Sequence, residues 1–304
     1  MAGGRIPDIL GLGEPLIEMV RLAQLIDGRP VYVQGFGGDT STAIIAAARQ
    51  RAHVGYISAI GDDMFGEALR ELWTREGVDH QYVTTRHDAS TGVCFIDPDP
   101  TGRRFTYARR GSAASLFDVQ DLPLDALSAA GVLHVSGITL AISQTISNAA
   151  FRAAAHMKNR GNLVSLDLNH RPALWGQRNA VDVLTQFVEL RPDIVFASDD
   201  EAAELFGLAT PDAIADRFLS SGAEIVVAKQ GAKGALLATP ERRTFIPPFP
   251  STPVDASGAG DSFAGAFLAW FLETGDPERA AQEAARVAAV TVSGLGAVDS
   301  IPRR

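Results

Sequence analysis

The chain has 304 residues, 46% hydrophobic and 21% charged, which fits one large or two ordinary globular domains and excludes a disordered or fibrous chain. Thirty-six acidic against twenty-seven basic residues give a formal net charge of −9, so the chain as a whole repels nucleic-acid backbones. Any anionic substrate must meet local positive charge, and only Lys158, Lys229 and Lys233 among the bases are lysines. No run of eighteen apolar residues predicts a membrane span. Met1–Asp8 is too short and polar for a secretory signal. The single cysteine, Cys94, has no internal partner, and one Cys with six scattered His offers neither a Cys-rich zinc site nor an H-E-x-x-H helix. These features predict a soluble, acidic, cytoplasmic globule.

In chain order, short β-rich apolar runs alternate with Ala-rich helical stretches. Strands are predicted at Ile9–Leu12, Val54–Ala59, Val132–Val135, Leu163–Leu168, Ile194–Phe196 and Ile225–Ala228. Helices are predicted at Thr40–Arg51, Phe65–Glu76, Gln144–Asn159, Ala180–Glu189, Asp200–Phe206 and Pro211–Ser220, then at Ser262–Glu273 and Pro277–Ser293. Such alternation predicts a mostly parallel sheet with helices on both faces. No linker, repeat or low-complexity tract divides the chain, which predicts one domain over 1–304. Glu14–Phe36 and Asp88–Gly111 break the alternation, with polar turns at Asp27-Gly28 and at Asp97-Pro98-Asp99-Pro100-Thr101-Gly102. They read as hairpins added to one edge of the sheet, a lid, or as surface loops.

Two nucleotide signatures are absent. Gly11-Leu12-Gly13 is followed by Leu16 where G-x-G-x-x-G needs its third glycine, and no G-x-x-x-x-G-K-[ST] occurs. Gly258-Ala259-Gly260-Asp261, running into a predicted helix, supplies another anion site, because small residues expose backbone N–H groups at a helix N-terminus. Asp261 is there either a dipole-compatible capping residue or a proton acceptor for an attacking hydroxyl. Lys229-Gln230-Gly231-Ala232-Lys233-Gly234 is either a plain hairpin turn or a place where a nucleotide lies on backbone beside a lysine. Gly37-Gly38-Asp39 opens a helix, where Asp39 or Thr40 is a cap or the glycines admit a ligand. Asp167-Leu168-Asn169-His170-Arg171 ends a strand, where ligands of open α/β sheets gather. Tyr107-Ala108-Arg109 alternates in strand fashion within the second edge segment.

In this order the motifs resemble those of the ribokinase-like carbohydrate kinases of the PfkB family. The resemblance runs through Gly37-Gly38-Asp39, Gly61-Asp62-Asp63-x-Phe65-Gly66, Lys229-x-Gly231-x-x-Gly234 and Asp255-x-x-Gly258-Ala259-Gly260-Asp261-x-Phe263-x-Gly265. Within the family the chain is most similar to 2-keto-3-deoxygluconate kinases, on Gly37-Gly38-Asp39-Thr40, Thr91-Gly92, Tyr107-x-Arg109 with Gly111-Ser112-Ala113-Ala114, and Asp167-x-Asn169-x-Arg171-x-x-Leu174-Trp175. Ser198-x-Asp200-Glu201 stands where many members carry Asn-x-x-Glu.

The resemblance implies a three-layer α/β/α domain with a mostly parallel sheet and a small β lid, formed by inserts near 14–36 and 88–111. It implies phosphorylation of the C6 hydroxyl of the sugar acid, with ATP and Mg²⁺; some members also hold a monovalent cation near the late motif. By position Asp261 becomes the general base, with the amides of Gly258, Ala259 and Gly260 around the transferring phosphoryl group. Asn169, Ser198, Lys229, Gly231 and Gly234, with Gly258 and Gly260, fall to the nucleotide, and Glu201 to Mg²⁺ through water. Gly37, Gly38, Asp39, Tyr107, Arg109, Arg171 and Asp299 fall to the sugar acid. The expected partners are that acid, ATP and a second copy of the chain paired through the lid, with neither nucleic acid nor membrane.

Three positions depart from the family pattern: Thr42 replaces the usual Asn, Cys94 a substrate-facing Tyr, and Ala256 a Thr or Ser. The first two touch the expected sugar pocket. They keep open a kinase for a neutral sugar such as fructose or ribose. A binding sensor without turnover is the rival outside enzymes, and retention of Asp261 argues against it.

Overall fold

The computed structural model describes residues 6–99 and 102–304. The first strand, β1 (Ile9–Leu12), is followed by a long hairpin, β2 (Leu16–Ile26) and β3 (Arg29–Gly37). Asp27 and Gly28 turn that hairpin with φ of 49° and 73°, as the type I′ geometry of a two-residue Asp-Gly turn requires. Then come α1 (Asp39–Arg49), β4 (Val54–Gly61), α2 (Met64–Glu76), the short β5 (Val78–Asp79) and β6 (Val83–Arg86), and a second hairpin, β7 (Val93–Asp99) with β8 (Gly102–Ala108). Pro100 and Thr101 of its turn lie outside the described residues, as do residues 1–5.

The middle of the chain runs α3 (Leu124–Ala129), β9 (Val132–Ser136), α4 (Gly137–Ile142), α5 (Gln144–Asn159), β10 (Leu163–Asp167), α6 (Ala180–Val188), β11 (Ile194–Ser198), α7 (Asp199–Phe206), α8 (Pro211–Ser220) and β12 (Ile225–Lys229). The antiparallel β13 (Ala235–Ala238) and β14 (Arg243–Ile246) lead to α9 (Ala259–Thr274) and α10 (Pro277–Thr291).

The main sheet has the order β14-β13-β12-β11-β10-β9-β1-β4-β5, with β6 also on β4, and the six strands from β12 to β4 are parallel. Both faces are covered. On β1, Leu10 and Leu12 join a core beneath α5, α6 and α8, while Ile9 joins a second core with α1, α2, α9 and α10. Gly11 lets α1 sit on the sheet, because a Cβ there would lie 2.5 Å from Ile44. Chain order reverses across β1, which has β4 on one side and β9 on the other. This is a topological switch point, and ligands of such sheets bind at the carboxyl ends of the flanking strands.

The two segments read as edge hairpins form one four-stranded sheet of their own, in the order β3-β2-β7-β8. Its middle pair, β2 and β7, is parallel, a long-range pairing that local turn signals do not announce. Ile17 and Val93 root this sheet in the second core, and further out β2 becomes exposed.

Candidate functional site

The carboxyl ends of β10 and β12 build the floor of the site. Asp167 closes β10 and is 2% exposed. One of its oxygens accepts from Lys229 Nζ at 2.7 Å, and the other from the Asn169 backbone N–H at 3.3 Å. Asn169 takes a left-handed φ of 31°, which turns its side chain so that Nδ2 donates to Asp261 Oδ1 at 3.0 Å. Asp167, to which the sequence assigned no role, thus orients both a cation and the amide that holds Asp261. Lys229 is held protonated: burial opposes its charge, but Asp167 and Glu201 outweigh burial.

The late motif meets this floor from the helix side. Gly258 caps α9 at φ 72°, and a Cβ on it would lie 2.7 Å from the Ala297 carbonyl. Just upstream, Asp255 fixes the turn by accepting from the N–H groups of Ser257 and Gly296, each at 2.9 Å. The Ala259 N–H is drawn back to the Ala256 carbonyl at 3.3 Å. Gly260 and Asp261 are the second and third helical residues, whose N–H groups have no acceptor within the helix. A Cβ at Gly260 would stand 3.3 Å from Lys229 Nζ, so the ammonium lies against this helix start. Burial, then the carboxylates of Asp39 and Asp167, push Asp261 well above the ordinary carboxylate range, against the pull of Lys229 and Arg171. A raised, amide-held carboxyl at a helix N-terminus is placed both to accept a proton and to border an anion.

Opposite this floor, β3 ends at Gly37, and Gly38 enters α1 at φ 96°, where a Cβ would collide with the Glu14 carbonyl. Asp39, the first residue of α1, is buried. One oxygen takes the Ser136 hydroxyl and the other, Oδ1, has no partner among the described residues. Thr42, one turn on, likewise buries an unpartnered Oγ1. Unmet buried acceptors are costly unless a ligand or water meets them, so a polyol is a fitting occupant.

Arg109 leaves the four-stranded sheet with its guanidinium 5.4 Å from the centre of the Tyr107 ring, so the two share one face. It is paired with Glu14, fully buried at the β1–β2 junction, whose Oε1 accepts from Ser112 Oγ at 2.6 Å. Cys94 stands directly across from Tyr107 in the β7–β8 register, and burial pushes its thiol up to about 12, which disfavours the thiolate. Asp63 anchors the approach to β7: it accepts from the N–H of Gly66 and from the N–H and hydroxyl of Thr91, each at 2.8 Å. This gives the Gly61–Gly66 motif its physical reason. Between the four-stranded sheet and α2 lies a cavity of about 560 Å³, lined among others by Asp63, Phe65, Thr91, Tyr107, Arg109 and Arg110.

Arg171 follows β10 and pairs with Glu201 of α7 at 3.0 Å, which joins two residues that the sequence assigned to different ligands. Ser198 lies beside them, its N–H 3.5 Å from Glu201 Oε2. Gly231 and Gly234 turn the chain from β12 into β13 with φ of 54° and 97°. Asp299 is not brought into this group; it sits on an exposed turn with its carbonyl 3.5 Å from Arg49.

Among the described residues no group of three or more His, Cys, Asp or Glu could hold a metal, and no helix is long and apolar enough to cross a membrane. Mg²⁺ bound through phosphates needs only one or two carboxylates, and the oxygen donors of Glu201 suit that hard cation. The small residues and cationic neighbour at the start of α9 suit a polyphosphate.

The chain is 32% identical to the 2-dehydro-3-deoxygluconokinase of Thermoproteus tenax, over 97% of this chain and 91% of that one. Its fold is similar to a fructokinase from Xylella fastidiosa with bound ATP (TM-score 0.88, 26% identity, covering 97% and 94% of the two chains). It is also similar to a putative ribokinase II of E. coli in complex with ATP and Mg²⁺ (TM-score 0.89, 26% identity, covering 98% and 96%). The family model for pfkB carbohydrate kinases matches residues 17–304. With the ribokinase-like α/β fold and the motif residues at the carboxyl ends of its parallel strands, this chain belongs to the pfkB family of carbohydrate kinases and is a sugar kinase.

Proposed function

We propose that the enzyme transfers the γ-phosphoryl group of ATP to the C6 hydroxyl of 2-keto-3-deoxygluconate. The observation that carries this reading is the buried Asp261, held by the Asn169 amide at the N-terminus of α9, with Lys229 beside Gly260. Phosphoryl transfer asks a protein chiefly for in-line placement and charge stabilisation. Asp261 accepts the hydroxyl proton as the sugar oxygen attacks. The Gly258–Gly260 segment and Lys229 face the charge on the transferring group, and Gly231 and Gly234 let the nucleotide lie against backbone. When bound, Mg²⁺ neutralises phosphate charge, and Glu201 holds it through water. Asp39, with its unmet oxygen, takes sugar hydroxyls, while Tyr107, Arg109 and Arg171 face the acid. A monovalent cation near the late motif is part of the same proposal, tested by comparing rates in K⁺ and Na⁺ buffers.

One observation favours a second reading, a neutral-sugar kinase: both arginines already have carboxylate partners, Glu14 for Arg109 and Glu201 for Arg171. The two pairs differ, however. The Arg109–Glu14 pair is buried and fixed, whereas Arg171 is 52% exposed in its side chain and free to exchange Glu201 for a substrate carboxylate. The four-stranded sheet also serves as a lid that pairs with a second copy, since it exposes Tyr32, Val33, Phe95 and Phe105. ADP formation with 2-keto-3-deoxygluconate, its galactonate epimer, fructose and ribose tests the substrate. A preference for an acid supports the proposal, and a preference for fructose or ribose overturns it.

A further inference from the structure

Arg49 ends α1, and from the sequence it is an ordinary last-turn cation favourable to the helix dipole. The structure uses it otherwise. Its side chain is 7% exposed, and its fork clasps Glu76 of α2, with Nε to Oε2 at 2.9 Å and Nη2 to Oε1 at 3.0 Å. Nη1 donates to the carbonyls of Val298 and Ile301, each at 2.7 Å. Arg303 adds a second cation to Glu76 at 2.7 Å.

Those carbonyls belong to the turn that follows α10, which has no ladder or helix of its own to fix it. Its near end is tied to the late motif: the Asp255 N–H donates to the Val292 carbonyl at 3.1 Å, the Gly296 N–H to Asp255, and Ala297 fills the space against Gly258. Val298, the residue after Ala297, is one of the two whose carbonyls Arg49 takes. The turn is therefore stretched between the start of α9 and a buried ion pair joining α1 and α2.

We propose that Arg49 is a positioning residue for phosphoryl transfer, pinning the 296–301 turn so that Ala297 sets Gly258 and the N-terminus of α9 around the transferring group. The inference rests on the site reading above. A shift of an ångström at such a centre is enough to slow the chemistry by one or two orders of magnitude. Only the planar guanidinium can engage a carboxylate bidentately and two carbonyls at once.

Full-length Arg49→Lys, Glu76→Gln and Asp261→Asn are assayed side by side for kcat, the KM of each substrate and melting temperature, with rates expressed per folded molecule. In Arg49→Lys, kcat falls about tenfold and the KM for ATP rises, while the sugar KM stays within about twofold. Glu76→Gln keeps the Arg49 bonds to Val298 and Ile301 and holds kcat within about threefold of wild type. An Arg49→Lys protein that melts earlier but keeps its kcat shows a merely structural role and overturns the proposal. An equal kcat loss in Glu76→Gln also overturns it, because the effect then comes from the α1–α2 contact and not from the turn. Should Arg49→Lys fail to fold, Val298→Pro, which disturbs the pinned turn and leaves the ion pair intact, replaces it and must show the same split between kcat and sugar KM. Wild-type turnover in Asp261→Asn overturns instead the site reading on which the inference rests.

Discussion

The floor of this site and the four-stranded sheet that we propose as its lid are built on different physical terms. Asp167, Lys229, Asn169 and Asp261 hang from the carboxyl ends of strands flanked by neighbours on both sides, and from a helix packed on that sheet. Each is held by another: lysine by aspartate, amide by aspartate. In the lid, Phe95, Phe105 and Tyr107 are 38% to 48% exposed, and one buried ion pair, Arg109–Glu14, ties its exit to the main domain. A preorganised floor suits chemistry common to many sugars, and an exposed sheet suits recognition that varies between them. Disturbing the floor must therefore slow every sugar alike, and disturbing the lid side must change the ranking of sugars.

The largest effect we expect among the binding groups is at Lys229. Lys229→Met removes the ammonium beside Gly260 and leaves Asp167 without its cation. Removing one such transition-state stabiliser typically lowers kcat by about 10²–10³. Steady-state rates on 2-keto-3-deoxygluconate and on fructose should fall by the same factor; a loss on one sugar only would erase the distinction between floor and lid.

Arg171→Lys comes next. A point ammonium cannot reproduce the planar fork, and loss of a charge-assisted contact costs about 1.5–3 kcal/mol, roughly ten- to hundredfold in affinity for the acid. Fructose, which has no carboxylate, should lose far less. Equal KM increases for the two sugars would remove Arg171 from acid recognition.

Legibility in the sequence followed the same division. The floor was legible because its residues end apolar runs or begin a helix: β1 is where the pattern put it, α7 differs from its predicted start by one residue, and Asp167, Asn169, Arg171, Lys229 and Asp261 all fall at such ends. The lid was half legible. Asp27-Gly28 announced its hairpin, but the parallel pairing of β2 with β7 joins residues about 75 apart, and no local pattern carries that. Glu14 was missed as the partner of Arg109 for the same reason: it lies in a glycine-rich junction 95 positions away, with no periodicity to mark it. β14 was missed because Arg243–Ile246 is short and largely exposed. Asp299 matched the resemblance by position and still sits on an exposed turn, since order along the chain does not fix which way a turn faces.

The smallest effect is on stability. Asp261 titrates higher in the folded protein than its ordinary value of 3.8, mainly through burial, so ionising it costs the fold free energy. Below that reference value both states are protonated and Asp261→Asn gains nothing. As pH rises from 3.8 through the raised folded value, wild type loses stability that the variant keeps. At neutral pH Asp261→Asn should therefore melt higher, by the equivalent of about 0.5–2 kcal/mol, as single stabilising substitutions commonly give. Thermal melts at several pH values check this, and a variant less stable than wild type at neutral pH would contradict the electrostatic picture of the floor.

The same protein supplies the most direct test of Asp261 as the proton acceptor. The substitution keeps the size of the side chain and an acceptor for the Asn169 amide, and removes the basicity together with the charge. ATP affinity by calorimetry and kcat by ADP formation are measured on one preparation of Asp261→Asn at neutral pH. A general-base role for Asp261 predicts a nucleotide affinity within about threefold of wild type, with kcat lower by about 10²–10⁴. Turnover close to wild type in that well-folded, ATP-binding variant would contradict it.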